Sequence, residues 1–167
     1  MTSPYPFAAR PTVYRGVQMR SRLEARVAEW MDSGGLAWQY EPRVYKSESG
    51  EYLPDFQVGE RTFIEVKPSI EALREAIWES IHRAAAVLIE SCPQSFFWVV
   101  RSDGTARLLH FASSGLETIQ CWPGLCPSGH LTLSTQNLLD AVPVDTPCRT
   151  CSGEISWLFQ ALDRWQS

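Results

Sequence analysis

Between residues 19 and 32, Leu23, Val27 and Trp30 recur at helical spacing, and Ser33-Gly34-Gly35 closes the pattern. A first helix is predicted there. Residues 36–45 and 52–58 are dense in Trp, Tyr, Val and Phe and read as two strands about the turn-like cluster Ser47-Glu48-Ser49-Gly50. Residues 62–67 predict a third strand. Pro68-Ser69 then leads into a helical stripe of Ile70, Leu73, Ile77, Ile81, Ala84 and Leu88, with Ser69 as N-cap and Glu71 in the first turn. Two more strands, residues 95–101 and 105–111, flank Ser102-Asp103-Gly104, a tight-turn sequence. Helix, three strands, helix, two strands is an α/β order.

The texture changes after Phe111. Residues 112–152 hold four cysteines and four prolines with little periodicity, which predicts a small module held by something other than a core. Beyond it, Ile155, Leu158, Phe159 and Leu162 lie on one helical stripe. The expected organisation is a core over residues 1–111, a module over 112–152, and a C-terminal helix over 153–167 that packs back on the core.

Composition suits a globular chain of 167 residues, 44% hydrophobic and 20% charged, with net charge −4. No overall basic field points to nucleic acid or membrane. The distribution is uneven, however: residues 1–46 hold seven Arg/Lys against four acids (+3), and residues 47–167 hold eight against fifteen (−7). A nucleic-acid surface is therefore expected to involve the N-terminal third. The longest uncharged stretch, residues 118–139, is interrupted by polar residues and falls short of the roughly 18 consecutive apolar residues of a membrane span. The first sixteen residues carry three prolines and no apolar run, unlike a secretory signal. A cytoplasmic protein is expected, in which cysteines are thiols or metal ligands rather than disulfides.

The chemically informative stretch runs from Tyr52 to Lys67. In a strand, Glu65 and Lys67 share one face while Ile64 and Val66 take the other. If the hairpin turns on Gly59-Glu60-Arg61, Val58 pairs with Thr62, Phe56 pairs with Ile64, and Asp55 falls opposite Glu65. A two-residue loop would mix polar and apolar side chains on both faces. Phe63 is the one apolar residue left on the polar face. Two neighbouring carboxylates repel unless a proton or cation lies between them, and oxygen ligands suit Mg²⁺ or Mn²⁺. A lysine beside them can orient or deprotonate a water or neutralise phosphate charge. The set reads as metal-assisted phosphodiester hydrolysis.

Pro54-Asp55 followed by Glu65-Val66-Lys67 resembles the signature of the PD-(D/E)xK, or restriction-endonuclease-like, nuclease superfamily. Ser21-Arg22-Leu23-Glu24 on the first helix and Tyr40-Glu41-Pro42 on the next strand extend the likeness. It covers about residues 12–100 and is most similar to transposon-end endonucleases and small phage or mobile-element nucleases. The resemblance implies a central mixed sheet flanked by helices, Asp55 and Glu65 as ligands of Mg²⁺ or Mn²⁺, Lys67 as catalytic lysine, and Glu24 as the acidic residue completing the site. Glu29, on the same helix, is the competing candidate. A lone Glu-x-Lys is common on solvated strands. Order, hairpin spacing and the upstream helix together are more specific.

Arg20 and Arg22, with Arg15 and Arg26, could hold backbone phosphates, and Gln57 shares the metal-side face. His82 reads as a packed or surface residue. Cys121-x4-Cys126 and Cys148-x2-Cys151, separated by 21 residues, suit four thiolates closing on Zn²⁺ as in a zinc ribbon, with His130 as a substitute for Cys121. Cys92 stands apart as a small hydrophobe. These features lead to a metal-dependent DNA endonuclease with a structural zinc module, which could work as a homodimer. The alternative is a catalytically silent module of the same fold that binds nucleic acid or a partner.

Overall fold

A computed structural model describes residues 9–68, 75–112, 115–134 and 148–163. The chain opens with a hairpin of β1 (Thr12–Tyr14) and β2 (Val17–Met19), then α1 (Arg22–Ser33) and β3 (Trp38–Tyr40). A second hairpin, β4 (Tyr45–Ser47) and β5 (Gly50–Tyr52), precedes β6 (Phe56–Val58) and β7 (Thr62–Lys67). Next come α2 (Glu75–Ser91), β8 (Phe96–Arg101), β9 (Ala106–Ala112), β10 (Gly115–Leu125), β11 (Leu131–Ser134), β12 (Ser156–Trp157) and α3 (Leu158–Asp163). The expected helix start at Ser69, with Ile70 and Leu73, lies outside the described residues.

The architecture is α/β, as expected. One mixed sheet has the order β11-β10-β9-β8-β7-β6-β3, with β12 pairing β10 beside it. Among its pairings, β7 with β8 is parallel, and the others are antiparallel. The parallel pair brackets α2 in sequence, as a crossover connection requires. Its strands are buried on both faces and so are near-continuously apolar: Phe63, Ile64, Val66, Phe97, Trp98, Val99 and Val100 are all buried.

Two cores result. On one face Val27, Ala28, Trp30 and Met31 of α1 join Phe56, Ile64, Val66, Trp98 and Val100, together with Leu158 and Leu162 of α3. On the other, Ile81, Ala85 and Leu88 of α2 join Tyr45, Phe63, Phe97, Val99 and Leu109. The C-terminal helix, expected over 153–167, is described over Leu158–Asp163; its Leu158 and Leu162 pack on the first core, whereas Ile155 precedes it and joins Trp122 and Trp157 instead. Gly34, just past α1, is required by proximity: a Cβ there would lie 2.3 Å from Leu125 Cγ.

Several expectations are corrected. The face holding Gln57, Phe63, Glu65 and Lys67, expected to be polar, is covered, because the β4–β5 hairpin and α2 close over it. The Tyr45 ring meets Phe63 edge-on at 4.9 Å and Tyr52 meets Phe97 at 5.8 Å, while Ser49 Oγ donates to Glu90 of α2 at 2.7 Å. Phe63 is thus a core residue. The expected strands over 36–45 and 52–58 break into shorter ones, since Tyr45 and Tyr52 pair with each other. The expected boundary after Phe111 falls in the β9–β10 hairpin, whose register runs from Gly115↔Ala112 to Cys121↔Ala106, so the core and the cysteine region share a strand. Among the described residues, no helix is long and apolar enough to cross a membrane.

Candidate active site and metal cluster

The β6–β7 register is the one expected, Phe56↔Ile64 and Val58↔Thr62 around Gly59-Glu60-Arg61. Asp55 immediately precedes β6. Where the ladder stops, its Oδ2 accepts the Val66 N–H at 2.7 Å, taking the place of a strand carbonyl. Asp55 is 2% exposed, and Glu65 and Glu24 are also buried. Buried carboxylates require partners, and each has them. Arg20 Nη2 donates to Asp55 Oδ1. Lys67 Nζ donates to Glu65 Oε1, and the Tyr52 hydroxyl donates to Glu65 Oε2. Glu24 Oε2 accepts from the Tyr40 hydroxyl at 2.7 Å and from the Arg20 N–H at 3.0 Å.

Glu24, rather than Glu29, is therefore the α1 carboxylate brought toward Asp55. Ser21 caps the helix by accepting the Glu24 N–H at 3.1 Å. In the Ser-x-x-Glu arrangement the glutamate ordinarily reaches back to the cap N–H. Here it reaches one residue further, to Arg20, and so faces the site.

Burial, the Glu65 charge and the Glu24 charge together push Asp55 well above the ordinary carboxylate range. Burial and then Glu65 raise Tyr52, and burial with the Glu24 hydrogen bond raises Tyr40 to about 12; both remain hydroxyl donors. Carboxylate oxygens are the donor type of a hard divalent ion, although among the described residues only the group of Cys126, His130, Cys148 and Cys151 has its ligand atoms within 4.8 Å of one another. In this arrangement Arg20 and Lys67 occupy one oxygen each of Asp55 and Glu65.

Gln57 is otherwise engaged: its Oε1 accepts from Tyr45 Oη at 2.7 Å, and its Nε2 donates to Gly59 O at 3.1 Å, so it fastens the hairpin loop. Arg22 is exposed on α1. His82 is exposed beside Trp78, and Cys92 packs against the α2 core. Tyr40 and Tyr52 were not singled out by sequence reasoning. Their place within Tyr40-Glu41-Pro42 and Tyr52-Leu53-Pro54-Asp55 was the available signal.

The second cluster consists of Cys126, His130, Cys148 and Cys151, whose ligand atoms all lie within 4.8 Å of one another. It could hold a metal such as zinc. Two knuckles build it. In the first, Cys126 N donates to His130 O at 3.2 Å and Gly129 N to Cys126 O at 2.9 Å, and Gly129 takes φ +76°, which glycine adopts without strain. In the second, Cys148 N donates to Gly153 O at 2.8 Å and Ser152 N to Cys148 O at 2.7 Å. Cys126 Sγ lies 3.3 Å from His130 Nδ1, Cys148 Sγ lies 3.8 Å from the same nitrogen, and Cys151 Sγ is 3.5 Å from Cys126 Sγ. A tetrahedral Zn²⁺ with ordinary bond lengths separates two sulfurs by about 3.8 Å and sulfur from nitrogen by about 3.6 Å. The spacings match that tetrahedron and exclude a disulfide.

The Gly153 N–H and then His130 lower the Cys151 thiol to about 6, and backbone N–H groups of Cys151 and Thr150 lower Cys148. Both favour the thiolate that binds metal. Burial raises Cys126 in the metal-free protein. Cys121, expected as the fourth ligand, is not in this cluster. It sits in β10 opposite Ala106, fully buried in the α1-side core, with its Sγ 3.6 Å from Ala106 O. Burial lifts its thiol to about 11, the form that does not ligate. His130 takes the fourth place.

No family model, curated protein or solved structure matches the chain.

Proposed function

We propose that this chain is a metal-dependent nuclease with a restriction-endonuclease-like core that hydrolyses phosphodiester bonds in DNA. The observation carrying this reading is one hydrogen-bonded chain of three buried acids, in which Arg20 bridges Glu24 to Asp55, Asp55 accepts the Val66 N–H, and the neighbouring Glu65 pairs with Lys67. Glu24, Asp55 and Glu65 would hold Mg²⁺ or Mn²⁺, which supplies a Lewis acid for the scissile phosphate and a more acidic bound water. Lys67 stands on Glu65 where its ammonium can orient the attacking water or neutralise developing charge. Tyr52, donating to the other Glu65 oxygen, fixes that carboxylate's orientation. Tyr40 does the same for Glu24.

We assign the Cys126, His130, Cys148 and Cys151 cluster to structural zinc, because four closed ligand positions leave no open site for catalysis. A second reading, a catalytically silent module, draws on the pairing of Asp55 and Glu65 with the chain's own cations. Cleavage of supercoiled, linear, branched and single-stranded DNA with Mg²⁺ or Mn²⁺ decides between them. Cutting that needs the metal and falls by about 10²-fold or more in Asp55→Ala, Glu65→Ala and Lys67→Ala supports the nuclease. Undiminished cutting by a folded Asp55→Ala protein overturns it.

A further inference from the structure

Arg20 combines a fixed backbone with an exposed side chain. Its N–H is tied to Glu24 Oε2 and the Tyr40 hydroxyl, both at 3.0 Å. Its guanidinium forks between Asp55 Oδ1 and Glu41 Oε1, the latter at 2.9 Å, and the side chain is 59% exposed while that of Asp55 is 3% exposed. Asp55 Oδ2 is already committed to the Val66 N–H. The other Asp55 oxygen, Oδ1, is the one on which Arg20 stands. Lys67, on Glu65, is only 21% exposed and is more enclosed.

We infer that the Arg20 guanidinium is a built-in stand-in for the divalent ion, occupying Asp55 Oδ1 until the ion binds and then turning outward to hold a phosphate of the DNA backbone. This rests on the nuclease reading of the site. Two positive groups within about 4 Å of one oxygen repel strongly in a buried setting, so occupancy by Arg20 and by the ion is mutually exclusive. The Arg20 side chain has a route to solvent, and a planar fork suits phosphate as it suits carboxylate. Competition of this kind is reciprocal, so removing the guanidinium must tighten binding of the ion.

The test is Mn²⁺ binding to the purified full chain without DNA, measured by titration calorimetry on wild type, Arg20→Gln, Arg20→Lys and Asp55→Asn. Arg20→Gln is expected to bind Mn²⁺ about tenfold more tightly, a typical coupling for linked sites, with Arg20→Lys between it and wild type. Equal or weaker binding by a folded Arg20→Gln overturns the stand-in role, and if that variant does not fold, Arg20→Lys decides by the same sign. Loss of Mn²⁺ binding in Asp55→Asn, with Arg20→Gln unchanged, removes the stand-in and leaves the metal site intact. Wild-type Mn²⁺ affinity in a folded Asp55→Asn removes the metal-site reading, and the stand-in with it.

Discussion

The carboxylate site and the Cys/His cluster are assembled by different means. Asp55, Glu65 and Lys67 are placed by strand register, and a two-residue repeat fixes which side chains share a face. Cys126, His130, Cys148 and Cys151 are placed by two irregular knuckles brought together across the chain. The carboxylates also find their partners internally, in the cations Arg20 and Lys67 and in two tyrosine hydroxyl donors, whereas two of the thiols are tuned mainly by backbone N–H groups. A site on a sheet can hold its charges without a metal. A site on loops, resting on only a small cluster of Trp122, Ile155 and Trp157, leans on the metal for its shape.

The largest effect that sharpens this contrast belongs to the cluster. If the cluster holds one zinc per chain, as proposed, His130→Ala and Cys148→Ser are expected to abolish its retention and to loosen the two knuckles, residues 126–130 and 148–153, ahead of the sheet. Structural zinc supplies folding free energy on the order of 10 kcal/mol in small domains. Cys121→Ala should keep its zinc and cost only about 1–2 kcal/mol for a small core cavity. Elemental analysis with hydrogen exchange reads both. Zinc lost in Cys121→Ala but kept in His130→Ala would reverse the ligand assignment.

The same contrast explains what the sequence disclosed. Alternation along Phe56–Val58 and Thr62–Lys67, with a three-residue loop, gave the register and hence the Asp55–Glu65 neighbourhood. It could not show that the Glu65 face is roofed, because Tyr45 and Tyr52 reach Phe63 and Phe97 from a hairpin that folds outside the sheet, and strand alternation does not report such a contact. For the cysteines, residue type and spacing narrowed the ligands to five, and no periodicity governs a knuckle. Cys121 was misassigned because its strand, β10, carries Pro123 and Gly124 and hides its alternation. The Cys126-Pro127-Ser128-Gly129-His130 run was the better signal, since a glycine at positive φ is what a knuckle needs.

A second, smaller effect probes the internally partnered carboxylates. Asp55 has its folded pKa raised from 3.8 to about 8, chiefly by burial and by Glu65. Between those values the folded chain holds a proton that the unfolded chain releases. This group's contribution to stability is therefore full below about pH 4 and is lost as pH rises through about 8. Thermal unfolding of the Mn²⁺-free protein should fall by a few degrees from pH 5 to pH 9. The slope should flatten in Asp55→Asn and also when Mn²⁺ is added to wild type. An equally steep fall in Asp55→Asn would mean that another group carries the pH dependence.

The smallest effect lies at the start of α1, where local helix chemistry and the site meet. Ser21 accepts the Glu24 N–H at 3.1 Å, and Glu24 turns its carboxylate to the Arg20 N–H and the Tyr40 hydroxyl. Ser21→Ala removes the cap, at a cost of about 1 kcal/mol. A cap with no further role would lower stability and leave Mn²⁺ affinity unchanged. Because the first turn of α1 sets the position of Glu24, the variant should also weaken Mn²⁺ binding by about twofold to threefold, the scale of a fraction of 1 kcal/mol. Ser21→Asp, which restores a cap oxygen, should recover both properties. Recovery of stability without recovery of Mn²⁺ affinity would show that Glu24 is positioned by Tyr40 rather than by the helix start, and the carboxylate site would then owe its α1 member to the sheet.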